Sequence, residues 1–203
     1  MSKSAGASII PRIWREIQQR KKAVLGWPDW SEAAVLRTGK NVKTSRDDLH
    51  TVSAEVTQAL FQLGNEQGVH IEGVRLRLKA WAYRRNRDVT ATLEVVGDRS
   101  FVTIARIDAW PSSPHHNSFK ALKKPALKGF PTAIEGCHVH RFDDNAKYGA
   151  EAFGPGPEGN LPVAQAFPND LQSFRDFLRS VGDEFNIEGL EEFPGPPSWQ
   201  GLV

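Results

Sequence analysis

The sequence predicts an α+β domain: an antiparallel sheet of about four or five strands with helices packed on one face, plus an N-terminal basic helix. Two observations carry this expectation. Over residues 73–110 apolar and polar side chains alternate with the period of two of a half-buried strand, interrupted by short polar turns. In the flanking segments apolar residues recur at intervals of three and four, the spacing that lines up one face of a helix.

Residues 8–25 read as the basic helix, with Ile9, Ile13, Ile17 and Trp14 as its apolar stripe and Arg12, Arg15, Arg20, Lys21 and Lys22 on the other side. Gly26-Trp27-Pro28 ends it, and a linker runs to residue 45. The chain thus divides into a basic helix and linker over residues 1–45 and an α+β domain over residues 46–203. A second helix is expected from Ser45 as N-cap, with Asp47 and Asp48 at the positive end of the helix dipole. Leu49, Val52, Val56, Leu60 and Leu63 would form its buried face, and Gly64 or Gly68 its end.

Three strands follow. In the first, Val74, Leu76, Leu78, Ala80 and Ala82 alternate with Arg75, Arg77, Lys79, Trp81 and Tyr83. Residues 84–88 make a polar turn before a strand over 89–96, and Gly97-Asp98 turns into a strand over 101–110. Turns this short imply antiparallel pairing of consecutive strands. A further short strand is expected over 136–142. The run Gly154-Pro155-Gly156-Pro157-Glu158-Gly159 reads as a loop, because its prolines forbid the strand-to-helix turn of a dinucleotide fingerprint. Asn169 or Asp170 would cap a helix to residue 181 that buries Leu171, Phe174, Leu178 and Val181, and the Pro194-Gly195-Pro196-Pro197 run would be extended.

At 203 residues and 39% hydrophobic content the chain is long enough to bury roughly 70% of its unfolded surface as one domain. No apolar run approaches the ~20 residues of a membrane span, and no secretory signal is legible at the N-terminus, so no membrane partner and a cytoplasmic location are expected. The single cysteine, Cys137, excludes an internal disulfide and suits a small buried strand residue. A net charge of +2 conceals an asymmetry, since residues 1–46 carry ten Lys/Arg against three acids, while Asp183, Glu184, Glu188, Glu191 and Glu192 make the C-terminal part acidic. A basic N-terminal part suits nucleic acid or an acidic partner protein.

The functional signal lies in the histidines. Four of the six fall within residues 115–140, as His115-His116-Asn117 and Cys137-His138-Val139-His140, in a region where Lys120, Lys123, Lys124 and Lys128 meet no acid between Ala109 and Ile134. His138 and His140 are two apart in a strand and share a face, as do Arg106 and Asp108 in the preceding one. If the two strands are neighbours, all four side chains converge under the 115–117 loop. Three chemistries use such parts. Metal-independent RNA cleavage needs an acid, a base and positive charge for the phosphate. Metal-assisted hydrolysis would take His138 and His140 as ligands, completed by His115, His116, Asp108 or Asp143. A binding pocket would use the same groups without turnover.

The segments Arg106-Ile107-Asp108, Pro114-His115-His116-Asn117, Cys137-His138-Val139-His140-Arg141-Phe142 and Tyr148-Gly149 resemble those of a bacterial family of unknown function. Its members carry an Arg-x-Asp strand, a Pro-His-x-Asn loop, a His-x-His strand, a Tyr-Gly pair and a helix ending near Phe-Asn-Ile. The chain is also distantly similar to toxins of small toxin–antitoxin pairs, over about residues 70–190. Where those proteins place Gly or Asn after Arg-x-Asp, this chain has Ala109-Trp110-Pro111-Ser112-Ser113.

The resemblance and the residues together lead to the expectation of a toxin-like, metal-independent ribonuclease that needs no cofactor and acts in phage defence or a toxin–antitoxin pair. His138 and His140 would be base and acid, Asp108 would orient one imidazole, and Arg106 would stabilise phosphate charge. His115, His116, Asn117, Lys120 and Lys124, with the basic strand residues Arg75, Arg77 and Lys79, would hold RNA. Alternatives are a non-enzymatic module that binds nucleic acid or an acidic protein such as an antitoxin, and a His-ligated metal-dependent hydrolase.

Overall fold

The alternation over residues 73–110 builds the centre of a larger sheet than four or five strands. A computed structural model describes residues 10–33, 56–98, 100–154, 160–168 and 170–201. In chain order these form α1 (Arg12–Gln19), β1 (Lys22–Val24), β2 (Ser31–Glu32), β3 (Val56–Gly64), β4 (His70–Trp81), β5 (Val89–Val96) and β6 (Phe101–Ala109). There follow β7 (His115–His116), α2 (Phe119–Leu122), β8 (Ala133–Ile134), β9 (His138–His140), α3 (Phe142–Tyr148), β10 (Gln165–Ala166), α4 (Phe174–Phe185) and β11 (Ile187–Glu188). Nine strands join one sheet, in the order β10-β9-β6-β5-β4-β3-β1-β11 with β2 also on β3, while β7 and β8 pair separately. All pairs are antiparallel except β1 with β11. The excess over the sequence expectation comes from β3, expected as helix, and from β1, β2, β10 and β11, whose two or three residues are too few to show a period.

One face of the sheet is the core. Ala59, Leu78, Ala91, Ile107 and Val139 form a single row across β3, β4, β5, β6 and β9, each fully buried. Phe61 on this face meets Phe193 edge-on, with ring centroids 4.7 Å apart, and Trp30, Phe174 and Phe177 continue the aromatic layer to α4. From α4 come the buried Phe177, Leu178, Val181 and Phe185. The opposite face of the same strands carries Arg75, Arg77, Lys79, Thr90, Thr92, Glu94, Arg106 and Asp108.

Three helix expectations change. The helix expected from Ser45 to Gly64 is, over Val56–Gly64, strand β3, in which Ala59, Phe61 and Leu63 are buried with period two while Leu60 is 37% exposed. Pairing with β4 along eight registered positions overrides the three-and-four spacing; residues 45–55 lie outside the described residues. The N-terminal helix stops at Gln19, and Ile10, Trp14 and Ile17 pack on the core whereas Ile13 is half exposed. Chain beyond it turns into β1, which adds to the sheet through β3 and β11. The C-terminal helix starts later than expected: Ser173 is the cap, its Oγ accepting the Asp176 N–H at 3.1 Å, and Asn186 in left-handed backbone (φ 55°) ends it. Asp170 therefore precedes the helix, and Asn169 and the loop 155–159 are outside the described residues. Of the proline-rich run, Pro197 already opens a short 3-10 turn (Pro197–Gly201).

Lys22 explains where α1 ends. Its buried ammonium donates to the carbonyls of Ile17 (2.8 Å), Gln18 (3.4 Å) and Arg20, the unsatisfied acceptors of a helix C-terminus. Burial, and then the neighbouring Arg20 charge, push this lysine down to about 8 from 10.5. The unfolded chain keeps the proton up to its ordinary range and the folded chain releases it earlier. This group therefore costs stability below pH 8, and stability rises with pH between about 8 and 10.5. In urea denaturation from pH 7.5 to 10 the wild type is expected to gain about 2–3 kcal/mol more stability than Lys22→Met. Parallel pH profiles for the two proteins would refute it.

Candidate functional site

The register between β6 and β9 builds the site. Arg106 lies opposite His140, and Asp108 opposite His138, so the four side chains leave the sheet on its polar face. The small β7–β8 hairpin returns His115 over them: its ring stacks on His138 at 4.6 Å and meets His140 edge-on at 4.7 Å. Arg106, Asp108, His115 and His138, with Thr90 and the Pro111–Pro114 turn, line a cleft of about 270 Å³, while His140 is fully buried outside that lining.

The Asp108 carboxylate is the hub. Its Oδ1 accepts from Thr90 Oγ1 at 2.8 Å; its Oδ2 accepts from Arg106 Nε at 2.7 Å and lies 3.2 Å from His138 Nε2. Burial alone would raise this carboxyl, but the hydrogen bond from His138 and the Arg106 charge outweigh it and hold Asp108 well below the usual carboxylate range. Arg106 spans the group, with Nη2 2.6 Å from His140 Nε2 and Nη1 donating to Asn160 Oδ1 at 3.1 Å.

Each imidazole has one nitrogen committed to an oxygen behind it. His140 Nδ1 donates to the Leu161 carbonyl at 2.6 Å, and His138 Nδ1 to the Gly136 carbonyl at 3.0 Å. Leu161 presents that carbonyl from left-handed backbone (φ 51°), a conformation leucine rarely adopts. His115 Nε2 donates to Asn117 Oδ1 at 3.2 Å. The Asn117 amide cannot be turned over, because Oδ1 also accepts the Ala164 N–H and Nδ2 donates to the carbonyls of Pro131 and Ala164. With Nδ1 protonated, His140 presents a lone pair at Nε2 to Arg106, and its 3.4 Å approach to Asp108 Oδ2 is bridged by that guanidinium and is not itself a hydrogen bond. Burial first and Arg106 second push His140 down to about 3, and burial with the charges of His138 and Arg106 pushes His115 down to about 4. Both rings are neutral at neutral pH.

Of the remaining residues singled out from sequence, the structure separates several from the cleft. His116 is exposed and follows His115 in β7, so it projects to the other side. Asn117 is buried with every polar atom used, and it positions His115 in place of touching a ligand. Lys124 reaches the Tyr148 carbonyl and Glu151, Lys120 is an exposed residue of α2 outside the cleft lining, and Asp143 is exposed and paired with Arg15 at 3.2 Å. Arg75 and Arg77 both ion-pair with the buried Glu94. They nonetheless share the site's face: Lys79, Thr90, Asp108 and His138 form one row across four strands, and Arg77, Thr92, Arg106 and His140 the next. Burial, with Arg77 beside it, lowers Lys79. Cys137 is half-buried, its Sγ accepting the Trp110 N–H at 3.4 Å.

Thr90 and Asn160 were not singled out from sequence. Thr90 could have been found by extending the alternation one strand, since it sits opposite Asp108; Asn160 follows a loop with no periodic signal.

No family model matches this chain, and no curated protein and no solved structure matches it either. Among the described residues no helix is long and apolar enough to cross a membrane.

Proposed function

We propose that this chain is a toxin-like ribonuclease whose reacting centre is the cluster of His115, His138, Asp108 and Arg106. The observation that supports it is the stacked His115–His138 pair at a cleft shared with a carboxylate and a guanidinium. His138 keeps Nδ1 on the Gly136 carbonyl and has Nε2, 3.2 Å from Asp108 Oδ2, as its reacting nitrogen, and His115 holds a neutral ring with one nitrogen free of Asn117. In the cofactor-free form of this reading His115 takes the proton of the ribose 2′-OH as its oxygen attacks phosphorus. The proton on His138 Nε2 leaves its contact with Asp108 Oδ2 for the 5′-oxygen as the P–O5′ bond breaks, and Arg106 stabilises the equatorial phosphate oxygens. His140, expected from sequence as the second proton-transfer group, is fully buried and does not line the cleft, and it becomes the residue that positions Arg106.

The RNA strand would run along the polar sheet face toward Lys79 and Arg77. Three strand spacings separate His138 from Lys79, about 14 Å, enough for a backbone stretch of two or so nucleotides. An antitoxin or other acidic protein covering the same face would be the matching inhibitor. Incubating the purified chain with single-stranded RNA, with and without EDTA, tests the activity. Cleavage supports the reading; salt-sensitive binding with no cleavage under any condition would leave the binding module in its place. In the same preparation Lys79→Ala and Arg77→Ala should each reduce the slope of log affinity against log salt by about one unit. Unchanged slopes would remove those residues from the RNA path.

A further inference from the structure

The three rings share a feature that proton transfer does not require. Each has its outward nitrogen hydrogen-bonded to an oxygen acceptor and turns its other nitrogen toward the same point: Nδ1 of His115, Nε2 of His138 and Nε2 of His140. Ligand atoms of the three lie within 4.8 Å of one another. We propose that His115, His138 and His140 bind one divalent transition cation of the Zn²⁺ class at the floor of the cleft, with the Asp108 carboxylate completing the donor set.

The donor chemistry fits such an ion. Three imidazoles with a carboxylate or water are what Zn²⁺ and its neighbours take, and metal-bound histidines are held by a backbone carbonyl, amide or carboxylate on the far nitrogen. Here Leu161 and Gly136 supply the carbonyls and Asn117 the amide, the last fixed by three further hydrogen bonds. Spacing agrees as well. Asp108 Oδ2 stands 3.2 Å from His138 Nε2 and 3.4 Å from His140 Nε2. Two ligands bonded at 2.0–2.1 Å to a tetrahedral ion are separated by about 3.3 Å. The 4.8 Å limit on the histidine nitrogens asks the three rings to close in by up to roughly 1.5 Å as the ion binds, whereas Asp108 Oδ2 already has ligand spacing to His138 and His140.

One group competes for the position. The Arg106 guanidinium donates to His140 Nε2 and Asp108 Oδ2, two of the atoms the cation would take. Binding therefore requires Arg106 to swing toward Asn160, its third partner, and removing the guanidinium should make the site bind more tightly. With a cation in place the imidazoles serve as ligands and proton transfer passes to a water on the ion, so the cofactor-free and metal forms of the nuclease are alternatives for one site. The inference itself rests on the ligand geometry and is read without substrate.

The test is titration of the EDTA-stripped full chain with Zn²⁺ by calorimetry, backed by Co²⁺ absorption in the visible region. Expected are one ion per chain at about micromolar affinity or tighter, and loss of at least tenfold in His138→Ala and His115→Gln. His116→Ala and His70→Ala should bind as the wild type, and Arg106→Gln more tightly. His115 is half-buried on the separate hairpin, so its variant reports even where replacement of buried His138 unfolds the chain. Absence of saturable binding, or binding unaltered by His115→Gln and reduced by His116→Ala, overturns the proposal. Zn²⁺ binding without RNA cleavage removes the nuclease reading alone; RNA cleavage in EDTA by a chain that binds no Zn²⁺ removes the metal proposal alone.

Discussion

Asp108→Ala is expected to destabilise the chain by about 3–5 kcal/mol, the loss typical of breaking one side of a buried ion pair. The carboxylate is the acceptor for Thr90 Oγ1 and Arg106 Nε and lies against His138 Nε2, and its side chain and that of Arg106 are 18% and 15% exposed. Deleting it leaves a mostly buried guanidinium with no counter-charge, its remaining partners being the neutral His140 ring and the Asn160 amide oxygen. Asp108→Asn keeps the volume and an acceptor for Thr90, so its loss should be smaller. Urea midpoints for the three proteins read the effect. A loss under 1 kcal/mol in Asp108→Ala would mean that water reaches this carboxylate freely and that the hub described above does not exist in solution.

The central meander was legible because its residues obey one rule at a time. Over residues 74–80 every second side chain is apolar and buried, and turn residues separate each strand from the next. Residues 56–64 carry both spacings, Val56, Leu60 and Leu63 a helical one and Ala59, Phe61 and Leu63 a strand one; the free β4 edge decides between them, and an edge is a tertiary fact. The same reason hides β1, β10 and β11, which are too short to carry a period and are held by what lies beside them.

At the site, the pairs Arg106/Asp108 and His138/His140 follow from alternation alone, but that β6 and β9 are neighbours does not, since 28 residues of loop, hairpin and helix separate Ala109 from His138. Burial was also beyond reach. A His-x-His pair in a strand reads as two equivalent groups, yet His138 borders the cleft while His140 lies beneath Arg106 with its second nitrogen tied to Leu161. Asn117 reads as a polar loop residue and proves to be a buried strut, because the Pro131 and Ala164 backbones that it ties together are distant in sequence.

These differences set the pattern expected of a histidine series, where the largest effect on rate should fall on the two rings at the cleft. His115→Ala and His138→Ala are each expected to lower RNA cleavage by 10²–10⁴-fold, the usual worth of a positioned proton-transfer group. His116→Ala, exposed on the other side of β7, should change it by less than twofold. His140→Ala is expected to act through the fold: it removes a fully buried ring, leaves the Leu161 carbonyl without its donor and frees Arg106 Nη2. Its loss of stability, about 2–4 kcal/mol, should therefore exceed that of His115→Ala, whose ring is half-buried. Single-turnover cleavage measured beside urea unfolding separates the two kinds of effect. If His115→Ala and His138→Ala cleave at wild-type rates while His140→Ala keeps its stability and loses activity, the roles assigned to the cleft-facing and buried rings are reversed, and Arg106 with His140 would have to form the reacting pair.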